Sequence, residues 1–302
     1  MSKQERSQVP AVLALIALAA IWGYNWVVMK VAVQYSPPFD LAALRALLGA
    51  LSLFLVMFWL RKSIWPKEIL ETFLLGSLQT SGLIGLSTWA LVSGGAGKTS
   101  VLLYTMPFWV LVLAWPILGE RIQGVQWIAA ILALSGLLFI LAPLNLNSDL
   151  GSKGLALLSG ISWAMSVIVA KRLRQKTNLD LLSLTAWQML FGSIPLVVIA
   201  LLLPSLPIVW SSSFIGALIY NVIPGSAVAW LLWLYVLSRL SAGVASLGML
   251  SNPVVGVLTA WVQLGERPGL AESLGMLLIG SALVLLSVQG LKHNRQVTPR
   301  RA

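Results

Sequence analysis

The chain has 302 residues, of which 58% are hydrophobic and only 10% charged. A soluble domain carries about 25% charged residues, so this chain has too few charges to face water on every side. It has no Cys, and its single His, His293, lies in the polar C-terminal tail. Disulfides, thiolate chemistry, Cys-ligated metal and histidine catalysis inside an apolar core are thereby excluded.

Apolar runs of about 20 residues recur from Val9 to Gln289, each long enough to cross roughly 30 Å of hydrocarbon as a helix. The period-2 alternation of a β-barrel is missing, and lipid admits only helices or closed barrels. The expected fold class is an all-α membrane protein of about ten transmembrane helices. In chain order the spans are placed at 9–33, 39–60, 68–91, 96–118, 124–142, 153–172, 180–203, 212–237, 242–264 and 270–289. The first run has the outline of a signal peptide, with Lys3 and Arg6 before an apolar stretch and Ala17-Leu18-Ala19 as a cleavage site. Its continuation to Val33 favours an uncleaved span. Turn chemistry separates several spans, as at Ser36-Pro37-Pro38, Gly94-Gly95, Gly119-Glu120-Arg121 and Pro268-Gly269.

The net charge of +11 sits in the connections, which points to membrane orientation rather than nucleic acid. With the N-terminus inside, the inner connections hold 15 Lys and Arg against 4 outside. That bias places both termini in the cytoplasm and requires an even number of spans.

The chain also repeats itself. Leu118-Gly119-Glu120-Arg121 recurs as Leu264-Gly265-Glu266-Arg267, 146 positions later, and Ala96-Gly97, Pro107 and Trp115 recur as Ala242-Gly243, Pro253 and Trp261. Trp22 and Lys30 match Trp163 and Lys171 at an offset of 141, and Asp40-Leu41 matches Asp180-Leu181 at 140. Five helices per half is an odd number, so the second half enters the membrane inverted. Inverted halves give one chain two nearly equivalent conformations, with a solute site near the midplane. The expected organisation is a tail at 1–8, a first repeat at 9–142, an external linker at 143–152, a second repeat at 153–289 and a basic tail at 290–302.

The run LGERIQGVQWIAAILALSGLLFI with its twin LGERPGLAESLGMLLIGSALVLL, together with IWGYNWVVMK and LAALRALLGAL, resembles the EamA-type branch of the drug/metabolite transporter superfamily. The resemblance covers about residues 11–288. It implies that helices one, three, four, six, eight and nine line a central cavity, with the fifth and tenth peripheral. It also implies a secondary transporter rather than an enzyme, without identifying a substrate.

Gly94-Gly95-Ala96-Gly97-Lys98-Thr99 has the look of a phosphate-binding loop, but Val92 stands where the first glycine is needed and the segment joins two spans on the outer face. It is read as a turn, with no bound nucleotide. Glu120 and Glu266 stand in tight turns, where each is expected to pair with its neighbouring Arg or cap a helix end. Arg45, near the start of the second helix, is expected to snorkel or bond to a neighbouring helix end, with an anion-binding role as the alternative.

At mid-depth the cavity helices bring Trp22, Gln79, Pro107, Trp163, Pro224 and Pro253 to one level. Tryptophan prefers the interface, so Trp22 and Trp163, repeat partners at mid-depth, are expected to face a cavity. Pro107, Pro224 and Pro253 are expected to kink helices there. Asn25, Met29, Thr105, Ser166, Asn221 and Asn252 complete the candidate set, a mostly apolar pocket with a few hydrogen-bonding groups. With no charge expected in it, the substrate is read as a neutral, zwitterionic or amphipathic small molecule such as an amino acid. The functional expectation is an exporter of the bacterial-type inner membrane, with the lipid bilayer and a small solute as partners and no cofactor or metal. The monomer and the homodimer both stay open. A lipid or lipid-carrier flippase of the same fold is the alternative, and an intramembrane lipid-modifying enzyme a remote one, since the sequence lacks an acid cluster, a zinc set or a Ser–His site.

Overall fold

The computed structural model describes residues 3–118, 124–141, 149–177, 180–229, 231–232, 235–236 and 251–297. Among them all regular structure is helical. The first turn motif around Glu120, the segment Ala242-Gly243 and the first half of the predicted ninth span lie outside the described residues. The side chains of Pro107, Trp115, Lys171 and Pro253 lie outside them too.

The helices are α1 (Lys3–Ala32), α2 (Pro38–Trp59), α3 (Ile69–Ser93), α4 (Ala96–Leu103), α5 (Met106–Leu118), α6 (Val125–Leu141), α7 (Asp149–Lys176), α8 (Leu181–Leu202), α9 (Ser212–Val228), α10 (Ser251–Leu264) and α11 (Leu270–Val297). Five stretches are long and apolar enough to cross a membrane: Leu13–Ala32, Pro38–Trp59, Ile69–Ser93, Leu150–Ala170 and Leu181–Leu202. The boundaries follow local chemistry. Pro38 opens α2 at a position where no N–H is needed. Asp180 and Ser211 cap α8 and α9 by accepting from the N–H groups of Ser183 and Phe214. Helix α7 begins at Asp149 rather than 153, so the end of the expected linker is helical.

The predicted fourth span is broken in two. Pro107 has no N–H to give the carbonyl of Leu103, and the chain turns at Tyr104 and Thr105 before α5 begins. The turn is held by Thr105, whose hydroxyl donates to Leu102 O at 2.6 Å and whose carbonyl accepts from Phe108 N at 3.0 Å.

Two helices contain π-helical turns. One covers Ser77–Gly85 within α3 and the other Ile223–Val228 within α9. Such turns leave carbonyls out of the α-helical ladder, and these are answered from other helices. Ser162 and Ser159 of α7 donate to Leu78 O and Leu83 O at 2.8 and 3.0 Å. The indole of Trp22 on α1 donates to Gly225 O at 2.9 Å.

Helix α2 lies along α8, where Ala50, Leu53 and Met57 interdigitate with Leu182, Ala186 and Met189. Helix α1 lies against α10 and α9, and α7 against α3, α4 and α5. Helices α3 and α8 cross at Gly76 and Gly192, where each backbone occupies the space a Cβ on the other would need. Small residues at such a crossing let the two helices meet without side chains between them. Helices α6 and α11 pair with each other, closely enough that a Cβ on Gly136 would stand 2.6 Å from Gly275 O.

Candidate functional site

Helices α1, α2, α3, α4, α7, α8 and α9 surround a cavity of about 150 Å³. An engineered cavity of about this volume takes benzene, so the space suits a small solute. Trp22, Asn25, Trp26 and Met29 reach it from α1, following the i, i+3, i+4, i+7 face of a helix. Gln79 and Thr80 enter from the π turn of α3, and Gly225 and Ser226 from the π turn of α9. Trp163 of α7 stands edge-on to Tyr104 at 5.8 Å between ring centres.

Five of the nine binding candidates therefore meet at this cavity: Trp22, Asn25, Met29, Gln79 and Trp163. The other four are buried around it and serve neighbouring backbone or side chains. Thr105 holds the turn between α4 and α5, and its hydroxyl accepts from the indole N–H of Trp109 at 3.1 Å. Ser166 donates to Trp163 O within its own turn, at 2.6 Å. The Asn221 side chain donates to Ala217 O at 2.9 Å, and its backbone carbonyl accepts from the Ser226 hydroxyl. Asn252 of α10 donates to the Tyr104 hydroxyl at 2.8 Å, fixing a ring that forms part of the cavity wall. Pro224 lies in the π turn of α9, and Pro107 follows the break after α4.

The two tryptophans differ in a way their sequence positions do not show. The Trp22 N–H is committed to Gly225, whereas the indole N–H of Trp163 makes no hydrogen bond with the described residues.

Several wall residues come from outside the expected helices. Helix α2 supplies Arg45, and α8 supplies Gln188 and Met189. Arg45 neither snorkels nor binds a helix end. It is 9% exposed, its Nη1 stands 2.8 Å from Met29 Sδ, and no acidic residue lines the cavity. The expectation of an uncharged pocket is thus corrected: the cavity holds a guanidinium. The sequence signal was present, a lone cation within an apolar helix, but its depth depends on how the neighbouring helices cover α2.

At one end of α4 a second polar cluster forms. The Glu266 carboxylate accepts from Ala96 N at 2.9 Å and Gly97 N at 3.2 Å. It thereby caps a helix N-terminus contributed by the other half of the chain, where negative charge is stabilised. Lys30 lies nearby and donates to Leu91 O at 2.6 Å, at the end of α3. The glycine-rich turn that looks like a phosphate loop thus gives its N–H groups to an internal carboxylate.

The model of the EamA-like transporter family matches residues 9–142 and again residues 153–288. A Bacillus subtilis protein named as the uncharacterized transporter YoaV is 32% identical over 90% of this chain and 94% of its own length. An Escherichia coli protein named as a probable amino-acid metabolite efflux pump is 30% identical over 96% of this chain and 98% of its own. The uncharacterized inner membrane transporter YedA of Escherichia coli is 27% identical over 94% and 92%. A solved crystal structure, 17% identical, shares the fold with a TM-score of 0.64 over 93% of this chain and 96% of that one. Two copies of one transporter domain, filling nearly the whole sequence, show that the chain belongs to the EamA-like transporter family.

Proposed function

We propose that this protein is a secondary exporter of the inner membrane that moves small metabolites by alternating access of two inverted five-helix halves. The observation that carries the reading is the placement of the π-helical turns. They begin at Ser77 and Ile223, 146 positions apart, the same offset that relates the two Leu-Gly-Glu-Arg motifs, and both open onto one cavity. The packing supports the same exchange of halves. Helix α1 meets α10 as α7 meets α4 and α5, and α3 meets α7 as α9 meets α1. A solute site between two such halves is what alternating access requires.

The substrate class follows from the cavity and from the relative named as an amino-acid metabolite efflux pump. A small zwitterionic metabolite such as an amino acid suits about 150 Å³ with aromatic walls and one cation. The reading needs no ATP, and it is supported by Glu266, which takes two N–H groups of the loop that looks like a phosphate site. The excess of Lys and Arg in alternate connections supports cytoplasmic termini.

The decisive experiment is counterflow in proteoliposomes of purified protein, without nucleotide, against a panel of amino acids and other small metabolites. Accumulation of one labelled compound driven by the same compound inside is the expected result. A strict requirement for internal ATP would overturn the reading.

A lipid-carrying activity is the second reading, and one observation favours it. A groove of about 920 Å³ runs along α4, α10 and α11, lined mainly by apolar residues such as Val257, Met276 and Leu277, and it shares Tyr104 with the cavity. Movement of a fluorescent phospholipid between leaflets in the same proteoliposomes, with no amino-acid counterflow, would favour it over solute export.

A further inference from the structure

The cavity contains a charge that no described residue answers. Arg45 is buried, lines the cavity, and has no carboxylate partner among the described residues. Its one polar neighbour is Met29 Sδ, and a thioether is a weak acceptor. A guanidinium offers five donors in a planar fork that matches a carboxylate. Leaving such a group unpaired away from water is costly, and buried charges are ordinarily paired.

Beside it stand amide groups in the same condition. Asn25 and Gln188 are 7% and 3% exposed, both line the cavity, and neither Asn25 Oδ1 nor Gln188 Oε1 has a donor. Buried polar atoms in native proteins almost always have partners, and of the unpartnered ones here, which include Asn221 Oδ1, the Asn25 and Gln188 oxygens stand on the cavity, where a solute can supply the donor. Most of the remaining wall is apolar or aromatic, as at Trp22, Trp26, Leu83, Leu103, Trp163 and Met189, with Gln79, Thr80, Ser87 and Ser226 as its other polar groups.

We propose that Arg45 is the anion anchor of this transporter, taking the carboxylate of a small apolar amino acid while the amide oxygens of Asn25 and Gln188 take its ammonium. The assignment rests on the exporter reading and narrows it: the cargo carries a carboxylate, and amines without one are excluded. Each ligand group then meets its complement, a carboxylate with the guanidinium and an ammonium with neutral acceptors. Cationic solutes are disfavoured by the same charge. The anchor also breaks the symmetry of the halves. At the offset that relates Asp40 to Asp180, Arg45 corresponds to Thr185, whose hydroxyl donates to Leu181 O in its own helix. A solute in the cavity is therefore oriented, with its carboxylate toward α2 in whichever direction the cavity opens.

The test is ligand-induced thermal stabilisation of the full-length protein in lipid nanodiscs. The probes are the apolar L-amino acids from alanine to phenylalanine, each with its methyl ester and its decarboxylated amine. At least one free amino acid is expected to bind, with its ester and amine at least tenfold weaker. In Arg45→Gln the acid is expected to fall to the affinity of its ester, and Arg45→Lys to keep part of the preference. Equal binding of acid, ester and amine by the wild type overturns the proposal even if neither variant folds. So does a preference for the acid that survives Arg45→Gln, or no binding by any member of the panel. Binding of a free acid with this pattern but no counterflow would reject transport while leaving the anchor in place.

Discussion

The π-helical turns of α3 and α9 occupy equivalent positions in the two halves, yet different chemistry holds each of them. In α3 the freed carbonyls of Leu78 and Leu83 accept from Ser162 and Ser159 of α7, two short side chains that bring the helices close. In α9 the carbonyl of Gly225 accepts from the long indole of Trp22 on α1, and Tyr220 of the same helix donates to Ile21 O. The helix pairs correspond, since α1 and α7 open their respective halves, but one seam is closed by small polar residues and the other by large aromatic ones. The two copies of the domain thus release backbone groups at matching positions, and each answers them with its own side chains. The cavity inherits the difference: amide and hydroxyl groups from α3, glycine and serine from α9.

The comparison is easiest to break beneath the α3 turn, where α3 crosses α8. A side chain at Gly192 would enter the space of Gly76 O and the Thr80 side chain. Gly192→Ile is expected to cost about 3 kcal/mol or more, the upper range for overpacking, because backbone rather than a flexible side chain must yield. Loss of the monodisperse peak on size exclusion in mild detergent is the readout. Gly216→Ala in α9, where the added methyl meets nothing within 4 Å, is expected to behave as wild type. Equal tolerance at both positions would show that the crossing is not held by backbone contact.

A smaller effect separates the paired tryptophans. Trp22→Phe removes the donor to Gly225 O and is expected to lower stability by about 1 kcal/mol, the usual net value of such a bond. Trp163→Phe keeps an aromatic edge against Tyr104 and removes an uncommitted N–H from a residue that lines the cavity. It is expected to leave thermal stability unchanged and to weaken solute binding several-fold. Thermal unfolding and counterflow measured on both variants should thus move in opposite patterns. If the two variants behave alike, the α9 seam does not depend on the indole. Replacement of either by Leu removes the aromatic wall and is expected to cost about 2 kcal/mol in binding, roughly thirtyfold.

Much of this arrangement was legible in the sequence, because it depends on local rules. Helix lengths follow from apolar runs, the break at Tyr104 from a missing N–H at Pro107, and the shared face of Trp22, Asn25 and Met29 from helical spacing. The π turns were not legible. Gly82 and Gly85 lie within Ser77–Gly85, but glycine in a helix does not by itself specify a π turn, and the turn there is stabilised by donors about 80 residues away on α7. Arg45 was misread for a similar reason. A cation close to a helix start has the reach to snorkel, and here the helices packed around α2, including α1 with Met29, bury it instead. Gln188 gave no signal, since it is one polar residue in a helix whose partner face could not be known. Ser166 had the right spacing but bonds within its own turn, a choice that a one-dimensional pattern does not distinguish from facing a cavity.

The smallest expected effect lies at the repeat-related aspartates that begin α2 and α8. Asp40 stands in the first turn of α2, with only the Ser205 hydroxyl near it at 3.4 Å. Asp180 caps α8, accepts from Ser183 N at 3.1 Å and forms an ion pair with Lys62. Partial burial pushes the Asp180 carboxyl up, but the Lys62 ammonium and the backbone N–H groups of Ser183 and Leu182 outweigh it and hold the pKa below the usual aspartate value. A carboxyl whose pKa is depressed on folding stabilises the folded state above its unfolded pKa of about 3.9 and loses that contribution as pH falls through the folded value. The ion pair is 40% exposed at Asp180, so solvent screens it, and exposed pairs are worth about 0.2–1 kcal/mol. Asp180→Asn is therefore expected to lower the unfolding temperature slightly at pH 7 and by less at pH 3. Asn retains a side-chain oxygen that can cap the helix, so the variant isolates the charge. Asp40→Asn, with no cation to lose, is expected to change little at either pH. A pH-independent loss in Asp180→Asn would mean that the cap, and not Lys62, supplies what this aspartate has and its repeat partner lacks.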